Sequence, residues 1–477
     1  MARRTKIIAT IGPASDSEAM IKDLAEAGMD VARIGLAHGT LDEAIEKFRR
    51  VRRVEASLNR PIGTLVDLPG PKVRAGTMPE GGLALAQGDL VKLTPGQNGS
   101  TAEMIEVDHE GLLTDLHIGD RVTFGDGGVM AEVTDRNGDH LVACITHPGL
   151  LQGRPGVHIP SDRLRIPSPT PEDLHYLDAF IEEGVDMVAL SFVRSAHDIR
   201  RVGVEPNPRG PLVIAKIETR AAVDNLDSII EASGAVMIAR GDLGAEMPIE
   251  ELPHLQKRIL QRCITLARPA ITATQMLESM VSAASPTRAE ASDIANAVFD
   301  GSSALMLSGE SAIGVDPVNS VATMARIAAR ADDEFDYDAW GNRVHAAAST
   351  MQPHIDDTVT NSMTNAAWQA ALESGASAII CITRTGFTVR SIARFRPRAK
   401  ILGFSTDPQT LRQLTLSWGA TPYLLEVDYH TEHIMNRVLD AAREAGEIRR
   451  GDLVAVLSGS KDYPGQATDT LQLFPLK

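Results

Sequence analysis

The chain has 477 residues, enough for two or three domains, and a net charge of −16 from 47 basic and 63 acidic residues. No basic block stands out, which argues against nucleic acid and anionic membrane as partners, and no apolar run is long enough to span a bilayer. The three cysteines, Cys144, Cys263 and Cys381, are odd in number and far apart. They fit buried thiols in a reducing, cytoplasmic setting better than disulfides or a zinc site.

The start, MARRTKIIATIGPAS, puts two arginines before a short apolar run that Gly12-Pro13 breaks. It reads as a first strand, Lys6–Gly12, and not as a signal peptide. An amphipathic helix follows, with a Ser or Asp cap and a stop at Gly28. Val31–Gly39 is a second strand carrying Arg33 and ending at His38; Leu41 to Leu58 is a long helix with a basic face. Ile62–Gly70 is a third strand ending at Asp67. From about Pro71 to Pro160 the rhythm changes to short alternating runs between Gly and Asp turns, which predicts an all-β insertion.

After PSPTPEDLHYLDAFIEEG the strand–helix alternation resumes with Asp186–Val193, Ser191 near its end. Leu212 to Glu246 then reads as strand, helix, strand, with AAVDNLDSIIEA as one helix. A helix between two apolar runs predicts parallel strands. Both strands end in charge, so Lys216, Glu218 and Asp242 should meet at one edge. Glu218 and Asp242 are hard oxygen ligands suited to Mg²⁺ or Mn²⁺, and Lys216 beside them suits a developing oxyanion. A buried salt bridge is the plainer reading; two carboxylates against one ammonium at strand ends favour a site. Pro269–Gln275, with Thr274, and Ala304–Glu310 complete eight strands.

That pattern predicts an α/β fold: a TIM barrel from 1–70 and 161–340, an inserted β-barrel lid domain at 71–160, and an open α/β domain at 341–477 after a loosened stretch at Asp336–Met351. In the last unit, TRTGFTVRSIARFRP follows a strand and opens a helix. Thr383, Thr385, Gly386 and Thr388 there are equally compatible with an anion cradle and with ordinary capping.

The motifs TKIIATIGPAS, AGMDVARI, GPKVRAG, LSFVRS, AKIE, ARGDLGAE, ATQMLESM, PTRAEASDIANAV and MLSGES, in this order, resemble the pyruvate kinase family over nearly the whole chain. The resemblance implies phosphoryl transfer from phosphoenolpyruvate to ADP, a homotetramer, a closing lid and a regulatory C-terminal domain that takes a sugar phosphate or AMP in many members. It implies metal ligation by Glu218 and Asp242 and phosphate binding by Arg33, with support from Ser191. It also implies receipt of the substrate carboxylate at Gly241–Asp242, enolate stabilisation by Lys216 and a proton relay through Thr274. Arg74, His38 and Arg154 fall to the nucleotide.

The chain departs from the family at the monovalent-cation region. Gly35 and Ala37 stand where side-chain ligands are usual, Leu68 replaces a Thr and Lys72 a Glu. With Asp67 alone left and Lys72 as its expected partner, K⁺ is expected not to be required. Pro155 stands where a nucleotide-facing Lys is common, with Arg154 adjacent. These departures leave open a second reading, a catalytically weak paralogue that binds metabolites as a regulatory subunit.

Overall fold

The computed structural model describes residues 3–58, 60–125, 128–203, 210–349, 355–426, 434–459 and 467–477. Eight parallel strands close into a barrel: β1 (Lys6–Thr10), β2 (Val31–Gly35), β3 (Gly63–Leu68), β4 (Met187–Leu190), β5 (Leu212–Ile217), β6 (Ala235–Ala239), β7 (Ala270–Ala273) and β8 (Ala304–Leu307). Each strand pairs with its neighbours in chain order, and β1 closes on β8 with Lys6 opposite Ala304. Their near-continuous apolar character follows from burial on both faces. Ile8, Val31, Leu65, Met187, Ile214, Met237, Ile271 and Met306 fill the interior, and Leu416 from the C-terminal unit joins them. The alternate residues, such as Ile7, Ala9, Val66 and Val188, pack outward against the helices.

The strands are shorter than their apolar runs. Ladders stop at Thr10, Gly35, Leu68, Leu190, Ala273 and Leu307, so Ser191 and Thr274 lie in the turns beyond and Glu310 in the short helix Gly309–Ala312. The segment read as one helix is two, Arg220–Asp224 and Leu226–Ala232. Asn225 breaks it, with φ −102° and ψ 21°, and its side-chain amide donates to the carbonyls of Arg194 and Ala221.

The insertion leaves after β3 and returns before the helix Pro171–Glu182, whose Thr170 and Asp173 form a capping box. It contains a six-stranded sheet, a two-stranded ribbon and one helical turn, Leu112–Asp115. Its edge strands, Met104–Val107 and Val157–His158, do not pair with each other directly; the stretch after Pro71 lies between them, where Arg74 bridges Gly156 and Ala75 bridges Val107. Gly70, at the exit, has φ +67°, and a Cβ there would sit 2.9 Å from that of Ser191, so only glycine fits.

The stretch at 336–349, expected to be loose, holds a helix, Tyr337–Ser349; Met351 lies outside the described residues. The C-terminal sheet runs β11-β10-β9-β12-β13, built from β9 (Ala378–Ile382), β10 (Lys400–Ser405), β11 (Ala420–Leu424), β12 (Leu453–Ser458) and β13 (Thr470–Pro475), the last antiparallel. This unit packs against the N-terminal ends of the barrel strands. Asp186, just before β4, receives Arg52 at 2.6 Å and Arg412 at 2.8 Å. That leaves the C-terminal strand ends free for the insertion and the site. No helix among the described residues is long and apolar enough to cross a membrane.

Candidate active site

At the C-terminal mouth of the barrel, β2, β3 and β5 bring Arg33, Asp67 and Lys216 into one network. The Arg33 Nε donates to Asp67 Oδ2 at 2.8 Å, its Nη2 lies 2.6 Å from the same oxygen, and its Nη1 donates to Thr10 Oγ1 at 2.9 Å. Lys216 Nζ lies 3.4 Å from Asp67 Oδ1 and 3.3 Å from Glu218 Oε2, and donates to Ser191 Oγ at 2.6 Å. Ser191 Oγ in turn donates a hydrogen bond to the Leu68 carbonyl at 2.7 Å. Asp67 is therefore paired with Arg33 and Lys216 and not with Lys72, as the sequence had suggested. Lys72 is exposed on the insertion, after the Gly70 turn has carried the chain out of the mouth.

The electrostatics follow from this packing. Burial opposes charge on Asp67, but Lys216 and Arg33 outweigh it and hold the carboxyl below its usual range. Burial likewise opposes charge on Lys216, and Asp67, Glu218 and Asp242 overcome it, so the ammonium stays protonated. Glu218 is different: burial pushes its carboxyl up to about 7, against Lys216, while Asp242 adds repulsion. Its Oε1 accepts the Phe192 N–H at 2.5 Å. Its Oε2 is buried without a hydrogen bond; the 3.3 Å ammonium is near enough for charge attraction but is aimed at Ser191. A buried carboxylate oxygen without a partner is costly unless something cationic completes it.

Asp242 sits in the first turn of the helix Arg240–Glu246 and is exposed on an open cavity between the mouth and the insertion. Lys72, Arg194, His158 and Phe192 line the same cavity. Among the described residues no cluster of three or more His, Cys, Asp or Glu could hold a metal, so Glu218 and Asp242 are a two-carboxylate set.

Thr274 follows β7 with φ +66°, and Gln275 has φ +54°. Left-handed backbone is rare for a β-branched residue and is strained. Its hydroxyl accepts the Gly241 N–H at 2.9 Å, so one amide expected to face the substrate carboxylate has an internal partner. Arg240 holds the strained turn. Its Nη2 donates to the Thr274 carbonyl at 2.7 Å, while Asp293 grips Nη1 at 2.7 and 2.9 Å. Sequence reasoning missed this strap, although Arg240 lies within ARGDLGAE. It also missed Glu246 of that motif, which accepts from Ser161 N at 2.9 Å, Ser161 Oγ at 2.7 Å and Arg220 N at 2.6 Å, tying the returning end of the insertion to the barrel.

The remaining candidates lie elsewhere. Arg74 Nη2 donates to the Ala37 carbonyl at 3.3 Å and Nη1 to that of Arg154 at 3.4 Å, linking the loop after β2 to the insertion. His38 is exposed nearby; partial burial and then Arg74, Lys72, Arg33 and Lys47 push its pKa down. The Arg154 side chain turns to Asp108 at 3.2 Å, within the insertion. In the C-terminal unit, Thr383 Oγ1 accepts the Gly386 N–H at 3.0 Å and the Thr388 hydroxyl meets Thr468 at 2.5 Å. Those hydroxyls are engaged inside the fold, as capping would have them.

Comparison with known proteins places this geometry. The pyruvate kinase barrel-domain family model matches residues 2–321 and the pyruvate kinase alpha/beta-domain model residues 361–474. A pyruvate kinase of Bacillus licheniformis is 37% identical, the match covering 97% of this chain and 79% of that protein. One from Mycobacterium tuberculosis is also 37% identical, over 98% and 97% of the two chains. A crystal structure of a pyruvate kinase from Cryptosporidium parvum superposes with a TM-score of 0.89 at 30% identity, covering 100% of this chain and 96% of that one. The chain belongs to the pyruvate kinase family.

Proposed function

We propose that this chain is a pyruvate kinase that moves the phosphoryl group of phosphoenolpyruvate to ADP, giving pyruvate and ATP. The observation that carries this reading is Lys216, a buried ammonium held between Asp67 and Glu218 at the barrel mouth. Phosphoryl transfer needs positioning and charge neutralisation more than covalent help.

The Arg33 guanidinium, fixed on Asp67 and Thr10, presents its fork to the transferring phosphoryl group, with Ser191 in support. A terminal oxygen of ADP attacks phosphorus and the bond to the enol oxygen breaks. Lys216, 2.6 Å from Ser191, neutralises the enolate left behind. Thr274, whose hydroxyl reaches Gly241 N and Ala273 O, belongs to the relay that delivers a proton to the methylene carbon. A threonine hydroxyl is a weak acid, so water shares that step. Gly241 and Asp242 stand where the substrate carboxylate would be received.

The orphaned Glu218 oxygen and the exposed Asp242 carboxylate fit a divalent cation, Mg²⁺ or Mn²⁺. When bound, the cation supplies charge neutralisation for the substrate oxygens. The nucleotide would occupy the cavity under the insertion, and closure of the insertion would exclude water; Arg74, His38 and Arg154 are assigned to it on the family's pattern. Asp67 spends its oxygens on Arg33 and Lys216, which supports independence from K⁺, with Lys72 on the cavity wall carrying the equivalent charge. A sugar-phosphate or AMP effector at Thr383–Thr388, a homotetramer and a cytoplasmic setting complete the proposal on the family's pattern.

The test is a lactate dehydrogenase-coupled assay with several nucleoside diphosphates. Turnover of ordinary kinase magnitude, roughly 1–100 s⁻¹, with at least one of them supports the reading. Metabolite binding without turnover would replace it with that of a regulatory paralogue.

A further inference from the structure

The turn that ends β4 holds another strained residue of the mouth. Phe192 has φ +54°, a left-handed backbone that a bulky side chain rarely adopts. Such outliers persist where the surrounding bonds over-determine them, and they gather at functional sites. Here the Ser168 hydroxyl donates to the Ser191 carbonyl at 2.6 Å, and the Thr219 hydroxyl donates to the Val193 carbonyl at 3.0 Å. Gly70, where the insertion leaves the barrel, closes on the same turn: a Cβ there would lie 3.0 Å from Phe192 Cδ2.

This turn aims adjacent residues at the end of β5. Ser191 Oγ accepts from the Lys216 ammonium at 2.6 Å, and the Phe192 N–H donates to Glu218 Oε1 at 2.5 Å. Lys216 and Glu218 are 3.3 Å apart and buried, so attraction alone would draw both carboxylate oxygens onto the ammonium. Ser191 and Phe192 act against that: the first engages the ammonium and the second engages one carboxylate oxygen. Glu218 Oε2 is the oxygen left over, buried and without a hydrogen bond. With Val193 held by Thr219, an ordinary negative φ at Phe192 would swing the peptide plane between Ser191 and Phe192, and the N–H with it, away from Glu218.

We infer that Phe192 is a positioning residue for the cation's carboxylate, an assignment that rests on Glu218 and Asp242 being the ligands of the divalent ion. Its left-handed backbone fixes Glu218 Oε1 on the main chain, which keeps Oε2 clear of Lys216 and open to the cation. The backbone acts here, and the phenyl ring, which lines the cavity beneath the insertion, does not. The two can be separated by substitution. Glycine adopts a left-handed backbone freely, asparagine visits it routinely, and a β-branched valine resists it most.

The experiment is a titration of the full chain with Mn²⁺ alone, followed by water-proton relaxation, for wild type, Phe192→Asn, Phe192→Gly and Phe192→Val, with a thermal melt of each. Asparagine and glycine keep the turn and lose the ring, and should bind Mn²⁺ within about threefold of wild type. Valine keeps more apolar bulk but opposes the turn, and should bind roughly tenfold more weakly, the factor set by the cost of a left-handed residue. Raising Mg²⁺ should restore the turnover of Phe192→Val, whereas a packing defect would persist at saturating metal. Mn²⁺ binding by Phe192→Val as tight as by Phe192→Asn would overturn the proposal. So would a tenfold loss shared by Phe192→Asn and Phe192→Gly, which decides the matter even if the valine variant does not fold. A wild type that binds no Mn²⁺ would overturn the cation assignment itself, a result distinct from a reversed order among the variants.

Discussion

Replacing Lys216 with Met removes one positive charge from between two carboxylates while keeping most of the side-chain volume. With the ammonium 3.4 Å from Asp67 and 3.3 Å from Glu218, each pair is worth about 5 kcal/mol of attraction at an effective dielectric of about 20. Desolvation of three buried groups offsets much of this, and deleting one partner of such a pair costs about 3–5 kcal/mol in stability. Thermal melting should therefore fall, with Glu218 taking up a proton in place of the lost charge. Catalysis should suffer more. The ammonium is most needed when the enolate forms, so turnover should drop by about 10²–10³ or more, as for loss of an oxyanion donor, while the Michaelis constant for phosphoenolpyruvate moves by less than about tenfold. Steady-state kinetics at saturating metal separate the two. Unchanged turnover with only a raised Michaelis constant would refute the role given to Lys216.

Asp242→Asn should stay folded and lose most metal-dependent activity; full activity at ordinary Mg²⁺ levels would remove the ligand assignment. Rates in K⁺-free Tris with tetramethylammonium chloride should equal those in KCl, and Lys72→Glu should lose activity and recover part of it with K⁺; many-fold activation of wild type by K⁺ would contradict this. Arg240→Lys keeps the charge but not the fork that reaches both Thr274 and Asp293. It should slow exchange of the pyruvate methyl protons at least as much as phosphoryl transfer, whereas equal melting loss with normal exchange would make the strap structural only. Asp30 accepts the Ile7 N–H at 2.8 Å and meets Arg3 at 2.8 Å; burial opposes its charge, but Arg3 and Lys6 outweigh it and hold the carboxyl below its usual value. Its stabilisation is present above the unfolded pKa and is lost as pH falls through the folded one. Asp30→Asn should thus cost about 1–3 kcal/mol at pH 7, and the gap from wild type in urea melts should close in acid. A pH-independent gap would contradict the linkage.

The barrel was legible because parallel strands buried on both faces are written as apolar runs, and the charged residues at Arg33, Asp67, Lys216 and Glu218 stand out against them. Their pairing was not legible. Arg33 and Asp67 are 34 residues apart, and only the closed sheet decides that Asp67 turns to Arg33 and Lys216 while Lys72 leaves with the insertion. Strand ends were overrun because apolar character continues past the last ladder bond, as at Phe192, which lines the cavity, and Val193, which is buried. The segment after Gly386 reads only as the opening of a helix; that several of its arginines are buried depends on how the C-terminal sheet docks on the barrel. Arg240 and Glu246 sat inside a recognised motif, but the need for a strap on Thr274 appears only with its backbone angle.

The most direct measurement is ³¹P nuclear magnetic resonance of one reaction containing the protein, phosphoenolpyruvate and ADP, followed with Mg²⁺ and again with a chelator. Loss of the phosphoenolpyruvate signal matched one for one by growth of the ATP γ-phosphate, and only with Mg²⁺, is the predicted result. Phosphoenolpyruvate consumed to free phosphate without ATP, or transfer that persists in chelator, would contradict the account.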